Sequence, residues 1–475
     1  MKDIKIYFNG NWRRTKTAIP VFNPYSNEEL GEVYETGKDD FDAVIKSSES
    51  GFLEMKSLPA YKKSEFLLRC SLLLKERAQE FSEIITQESG KAIKYSRSEV
   101  FRASENFRFA SEVIKHFKGS VLKGDASAGG IGRRLIFERF PLGVVAAITP
   151  FNFPLNLVVH KVAPALAAGN SVILKPSSYT PITAVKLIEV LLESGFPPHA
   201  VNLVIGRGDI VGNWINSSSS IRMITFTGSP ETGNTIKAQS GLKKVALELG
   251  SNSPVIIDEI KDIDNLTSRL ITGVCANSGQ VCISVQRIYV RDELYEELKE
   301  SLVAGLNKVV VGDPADEKVE YGPMINEREA VRIENSIKQA VSQGANILAG
   351  GTRYKSIIQP TLIENVNMEM DVYSKEIFGP VACLIKYSDF DQVLNETNRS
   401  EFGLNAGVFT SDINKMLKAY RELETGGVII NDIPTWRIDN MPYGGVKNSG
   451  IGREGTEFAL EEMTEIKLLV INEEY

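Results

Sequence analysis

The sequence predicts an α/β protein with two doubly wound parallel-sheet units, and three observations carry that prediction. At 475 residues the chain exceeds one ordinary core, so two or three structural units are expected. From Leu142 onward, short apolar runs alternate with helical spacing, a pattern that places ligands at the carboxyl ends of parallel strands. The same alternation restarts after Cys282.

Taken in order, residues 39–117 read as mainly helical. Strands are expected over 144–149, 171–175, 202–205, 223–227 and 255–258, with helices over 154–168 and 181–194. Thr180 is read as the N-cap of the second helix, Pro181 as its first residue and Gly195 as its stop. The second unit reads as strand 287–290, helices 293–306 and 327–343, then strand 347–349. Segments 120–140 and 465–475 fit neither unit and are expected to be strands that leave the body to pair elsewhere. No repeat, low-complexity tract or linker is visible.

Composition excludes several function classes. The chain is 43% hydrophobic and 24% charged with a net charge of −7, which argues against nucleic-acid or anionic-membrane partners. Met1-Lys2-Asp3-Ile4-Lys5 has no apolar signal-peptide core. The most apolar stretch, 141–159, is interrupted by Pro150, Asn152, Pro154 and Asn156, so it reads as strand, loop and helix start. Four dispersed cysteines (Cys70, Cys275, Cys282 and Cys383) fit neither a disulfide framework nor a zinc site. No metal is expected, and a reducing, cytoplasmic setting follows.

Cys282 ends the run Asn277-Ser278-Gly279-Gln280-Val281-Cys282, and Glu248 lies upstream in Glu248-Leu249-Gly250. An isolated cysteine is by default a small buried hydrophobe. A thiol in a small-residue loop, with a carboxylate to activate water, instead suggests a nucleophile and its base. Nucleotide signals accompany the pair. Thr227-Gly228-Ser229-Pro230 follows a strand and opens a helix whose free N–H groups suit a pyrophosphate. Lys175-Pro176-Ser177-Ser178 offers a cation and hydroxyls to a ribose or its phosphate. Gly206-Arg207-Gly208-Asp209-Ile210-Val211-Gly212 misses the dinucleotide fingerprint by one residue, so a standard Rossmann phosphate loop is not supported.

Seven segments in order resemble the aldehyde dehydrogenase superfamily across essentially the whole chain. They are Thr149-Pro150-Phe151-Asn152-Phe153-Pro154, Lys175-Pro176-Ser177-Ser178, Phe226-Thr227-Gly228-Ser229, Leu247-Glu248-Leu249-Gly250, Gly279-Gln280-Val281-Cys282, Glu376-Ile377-Phe378-Gly379-Pro380 and Pro442-Tyr443-Gly444-Gly445. The resemblance implies an NAD(P)-binding domain over 1–119 and 141–249, a catalytic domain over 250–463, and oligomerisation strands over 120–140 and 464–475 of a homodimer or homotetramer.

It also implies roles. Cys282 attacks the aldehyde carbon, Asn152 donates to the oxyanion, hydride passes to the nicotinamide, and Glu248 activates the water that releases the carboxylate. Glu454 is implied in proton relay. Thr149, Pro150, Phe151, Lys175, Ser178, Gly208, Gly228, Ser229, Leu249, Glu376 and Phe378 are carried over as cofactor contacts. NAD-preferring members usually carry Glu where this chain has Ser178, so NADP is expected to be accepted, alone or alongside NAD. Arg102, Arg437, His160 and Tyr443 are the expected substrate contacts. Two guanidinium forks at the tunnel point to a small anionic aldehyde.

The stretch 431–445 looks most like the branch acting on lactaldehyde, sulfolactaldehyde and phosphonoacetaldehyde. The leading expectation is 3-sulfolactaldehyde to 3-sulfolactate, with succinate semialdehyde as the main rival. Retention of Glu248 argues against a CoA-acylating dehydrogenase. Intact Cys282, Glu248 and Asn152 argue against a non-enzymatic structural protein.

Overall fold

The computed structural model describes residues 3–473; Met1, Lys2, Glu474 and Tyr475, which close the two expected terminal segments, lie outside the described residues. The first alternating unit forms an eight-stranded sheet. At its centre run five parallel strands in the order Lys244–Glu248, Ile221–Thr227, Val144–Ile148, Ser171–Lys175 and Val201–Leu203. Val144–Ile148 and Ser171–Lys175 are buried at every position, as a parallel sheet covered on both faces requires. Helices Lys38–Ser57, Ala60–Glu76, Ala78–Ser89 and Ile93–His116 fill the stretch read as helical.

The expected helices of this unit run Asn156–Ala168 and Pro181–Glu193. Thr180 stands at the N-cap position of the second, yet its side chain makes no capping bond. The buried Glu88 carboxylate accepts from Ile182 N at 2.8 Å and Thr183 N at 3.1 Å instead, and burial pushes its carboxyl up to about 8. A long-range carboxylate does the work expected of the local hydroxyl.

The second unit is a seven-stranded sheet. Six strands are parallel, in the order Thr361–Glu364, Val381–Tyr387, Arg287–Arg291, Pro254–Ile257, Asn405–Phe409 and Gly427–Ile430, with Asn346–Ala349 antiparallel on one edge. The helix expected over 293–306 starts as the 3₁₀ turn Asp292–Leu294 and continues as Tyr295–Leu306.

Segment 250–463, expected as one domain, does not stay with this second sheet. Gly450–Ile451 pairs antiparallel with Lys244–Glu248, and Leu460 and Met463 pack into the core beneath the first sheet. The pairing covers what would otherwise be an open parallel edge. Ser120–Lys123, Arg133–Pro141 and Thr464–Asn472 form a separate three-stranded antiparallel sheet. Along its outer strand Ile466, Leu468, Leu469, Val470 and Ile471 are exposed.

Among the described residues no helix is long and apolar enough to cross a membrane, and no group of His, Cys, Asp or Glu side chains is placed to hold a metal ion.

Candidate active site

Four neighbouring parallel strands end at the same edge of the first sheet and deliver most of the chemistry there. Val144–Ile148 leads into the Thr149–Asn152 loop, Ser171–Lys175 ends on Lys175, Ile221–Thr227 leads into Gly228, and Lys244–Glu248 ends on Glu248. Across from this edge, the cysteine loop lies between helix Ile263–Cys275 and strand Arg287–Arg291. A cavity of about 350 Å³ lies between them, lined by Phe151, Asn152, Leu249, Cys282, Glu376 and Phe378 among others.

The cysteine loop is held in a conformation that few residues adopt. Asn277, Ser278 and Gly279 carry φ of 52°, 59° and 69°, three left-handed residues in succession. Left-handed non-glycine residues cost about 1–3 kcal/mol each, so the surroundings must enforce the turn. Asn277 Nδ2 donates to Asn152 O at 3.1 Å, Ser278 Oγ to Gly322 O at 3.0 Å, and Ile325 N donates to Gln280 Oε1 at 2.9 Å. Gly279 has no substitute: a Cβ there would lie 2.2 Å from the Gly379 backbone. These contacts explain the Asn-Ser-Gly-Gln residue types leading to Cys282.

Cys282 is partly exposed, whereas Cys70, Cys275 and Cys383 are buried; all four are free thiols. Its Sγ lies 2.9 Å from Tyr443 Oη. Burial pushes the Cys282 thiol up to about 12, against the opposing pull of Tyr443 and Arg437. Below that value the thiolate fraction rises with pH. Alkylation by iodoacetamide is therefore expected to fall on Cys282 alone and to quicken about tenfold per pH unit between pH 7 and 10. Mass spectrometry of the labelled protein checks both the site and the slope.

Asn152 is buried, and its Nδ2 donates to Gln280 O at 2.8 Å. Glu248 is buried, and its Oε2 has no hydrogen-bond partner among the described residues. Burial and the negative charge of Glu454 push the Glu248 carboxyl well up, opposed by Lys161, Arg437 and Arg453. Glu454 itself receives Lys161 Nζ at 3.0 Å and Arg437 Nη2 at 3.0 Å. Burial would raise its carboxyl, but Lys161, His160 and Arg437 outweigh that and hold it down.

The residues on the opposite side suit a dinucleotide. Glu376 is buried and accepts from Ser251 N at 3.0 Å, and burial raises its carboxyl to about 7. Gly250 lies so close beneath it that a Cβ would stand 2.3 Å from Glu376 Oε2. Ser229 caps helix Pro230–Gln239 by accepting from Thr232 N. Lys175 is buried with only Pro176 O, at 3.5 Å, as a hydrogen-bond partner, and burial lowers its ammonium to about 8. A buried cation without a carboxylate is a ready anion receptor. Phe151 meets Phe378 edge-on at 6.1 Å, and Pro150, Gly228 and Ser229 line the same cavity. Thr149 is buried with its hydroxyl unpartnered, Ser178 lines a neighbouring cavity of about 800 Å³, and Gly208 opens helix Gly208–Ser217 away from the 350 Å³ cavity.

The four expected substrate contacts come together, already partnered. Arg102 donates through Nε at 3.0 Å and Nη2 at 2.7 Å to Asp439. His160 Nε2 lies 2.8 Å from Asp439 Oδ1 and 3.1 Å from Arg437 Nη2. The Arg437 guanidinium carbon stacks 3.6 Å from the centroid of the Tyr443 ring. Asp439 and Lys161 were not singled out from the sequence, and Asn277 and Gln280 figured there only as part of the run that ends on Cys282. Lys161 left a trace as a lysine within the otherwise buried helix Asn156–Ala168; Asp439 left none.

Fold and cleft together are those of a dehydrogenase. The sequence pattern described as the aldehyde dehydrogenase family matches residues 12–469. This chain belongs to the aldehyde dehydrogenase family and is an NAD(P)-dependent aldehyde oxidoreductase. It is 42% identical over 472 residues to 3-sulfolactaldehyde dehydrogenase of Priestia aryabhattai, covering 99% of this chain and 98% of that protein. Aldehyde dehydrogenase 21 from Physcomitrella patens, solved with its product succinate, superposes with a TM-score of 0.97 at 40% identity, covering 99% and 98% of the two chains. Glyceraldehyde-3-phosphate dehydrogenase GapN from Methanocaldococcus jannaschii, solved with NADP, gives a TM-score of 0.92 at 37% identity over 96% and 100%.

Proposed function

We propose that this enzyme oxidises a short aldehyde bearing an acid group, with 3-sulfolactaldehyde to 3-sulfolactate as the leading reaction. The observation that carries the reading is the convergence of Arg102 and Arg437 on His160 and Asp439, one aromatic ring away from the Cys282 sulfur. Likeness to the 3-sulfolactaldehyde dehydrogenase supports the choice. Succinate semialdehyde is the second reading, favoured by the succinate complex of the moss enzyme.

In this account Cys282 adds to the aldehyde carbon to give a thiohemiacetal, with Asn152 and the Cys282 backbone N–H facing the oxyanion. Hydride must leave the thiohemiacetal carbon to give the thioester, and a bound nicotinamide would supply its acceptor. Glu248 then draws a proton from water as that water attacks the thioester, and Glu454, seated on Lys161, relays the proton outward. Glu376 would hold the nicotinamide ribose, Phe378 and Phe151 would flank the ring, and Lys175 with Ser178 would meet the adenosine ribose. Ser178 places no negative charge against a 2′-phosphate, which carries about −1.5 to −2, so NADP is accepted.

A kcat/KM panel over sulfolactaldehyde, succinate semialdehyde, phosphonoacetaldehyde and lactaldehyde, run with each cofactor, tests the proposal. Hydrogen bonds to charged groups contribute about 1.5–3 kcal/mol. Arg102→Ala should therefore lower kcat/KM for anionic aldehydes by about 10- to 150-fold and spare neutral lactaldehyde, and Arg437→Ala, which also frees Glu454 and the Tyr443 ring, should cost anionic aldehydes about that much more than lactaldehyde. Equal losses on both would sink the acid-group reading, and a strong preference for NAD would sink the cofactor choice. The exposed apolar strand Thr464–Asn472 supports pairing between copies of the chain as a dimer or tetramer. Four free thiols suit a reducing compartment such as the cytoplasm.

A further inference from the structure

Arg102, Asp439, His160, Arg437, Glu454 and Lys161 form one contiguous cluster of polar side chains, in which His160 Nε2 faces both Asp439 Oδ1 and Arg437 Nη2 and can hydrogen-bond to only one of them at a time. The cluster holds three cations, Arg102, Arg437 and Lys161, and two carboxylates, Asp439 and Glu454. Burial and the adjacent Arg437 lower the tendency of His160 to take a proton, against the pull of Glu454 and Asp439, and so favour its neutral form. With His160 in that form, the three cations exceed the two carboxylates by one charge. Except for Arg102, whose side chain is 27% exposed, every member of the cluster is at most 6% exposed, so solvent does little to screen that balance.

Asp439 is the member best placed to set the balance. It takes the Nε and Nη2 positions of Arg102, and its Oδ1 also receives Asn156 Nδ2 at 3.1 Å and faces His160 Nε2. Burial alone would raise the Asp439 carboxyl, but the His160 hydrogen bond and the Arg102 guanidinium hold it well below the usual range. It is therefore a permanent negative charge. One buried donor remains for an incoming acid group: Arg437 Nε has no partner among the described residues, although Arg437 is almost wholly buried.

We propose that Asp439 is a specificity-determining residue that cancels Arg102 and leaves the pocket one net positive charge, so that it favours singly charged sulfonate or carboxylate aldehydes over doubly charged phosphate esters. The inference rests on the acid-group reading above and narrows it. A sulfonate or carboxylate balances the pocket, whereas a phosphate ester of about −1.5 to −2 overfills it.

The test compares glyceraldehyde 3-phosphate with 3-sulfolactaldehyde and succinate semialdehyde in the wild-type enzyme and in Asp439→Asn, a near-isosteric change that removes the charge and turns one acceptor oxygen into an NH2 donor. The phosphate-to-sulfonate ratio of kcat/KM is expected to rise by at least about tenfold in the variant, as a unit charge within a few ångströms dictates. If both substrates fall together and the ratio stays fixed, Asp439 is structural and the inference fails. Should Asp439→Asn not fold, calorimetry on the wild-type enzyme decides. 3-Sulfolactate, whose end remote from the carboxylate is a singly charged sulfonate, must bind more tightly than 3-phosphoglycerate, whose remote end is a phosphate of about −1.5 to −2, and the reverse order overturns the proposal. Failure of the parent reading is distinct: the wild-type enzyme would then turn over lactaldehyde as well as it does any anionic aldehyde.

Discussion

In Glu248→Gln, mixing enzyme, cofactor and aldehyde should give a burst of about one NAD(P)H per active site, after which turnover falls by about 100- to 10,000-fold. The asymmetry follows from where Glu248 sits. It ends strand Lys244–Glu248, is buried and leaves Oε2 unpartnered among the described residues, so it is free to accept a proton from water. Forming the thioester uses Cys282 and the oxyanion donors; releasing it requires the base. The pH dependence has a defined sign. The Glu248 carboxyl is raised by burial and by Glu454, so its base form accumulates as pH rises through that elevated value. Deacylation should therefore speed up with pH. In Glu454→Gln, removing the neighbouring charge should move this rise to lower pH. Stopped-flow absorbance of NAD(P)H across pH separates burst from turnover and reads both effects.

Asn152→Ala should lower kcat by about 100- to 1,000-fold, the usual loss for one oxyanion donor. KM should change far less, because the ground-state carbonyl gains little from that amide. The local structure has means to survive the change. Asn277 Nδ2 is tied to the Asn152 backbone oxygen and not to its side chain, and Gln280 O keeps Asn277 Nδ2 at 3.3 Å as a second donor. A further support lies behind the loop. Glu99 accepts from Leu155 N at 2.8 Å and Asn156 N at 3.0 Å, and it is ion-paired with Lys91, both side chains being fully buried. A melting temperature close to that of the wild type, with kcat lost, would place the defect in chemistry; a collapse of both would place it in folding.

The strand–helix alternation was legible because each element carries its own pattern. Every position of Val144–Ile148 is apolar, and Pro181 and Gly195 bracket a helix. The chemistry around Cys282 and Glu248 was legible because both sit in short runs of small or turn-forming residues. What stayed hidden depends on partners distant in the chain. The ends of helices Pro181–Glu193 and Asn156–Ala168 are satisfied by Glu88 and Glu99, residues of a different helical layer. Arg102 looked like an open anion fork, yet its partner Asp439 is 337 residues away, and no local pattern announces such a pair. The return of Gly450–Ile451 to the first sheet was hidden for the same reason: two residues make too little pattern to mark a strand.

In the proposed cycle an acid-bearing acyl group is carried on the Cys282 sulfur. Intact-mass and peptide analysis of Glu248→Gln, quenched after its burst with 3-sulfolactaldehyde and NADP, measures this directly. The expected result is a mass increase equal to one 3-sulfolactyl group, located on the peptide containing Cys282 and absent from Cys282→Ser. A full burst with no added mass, or an adduct on Cys70, Cys275 or Cys383, would contradict it.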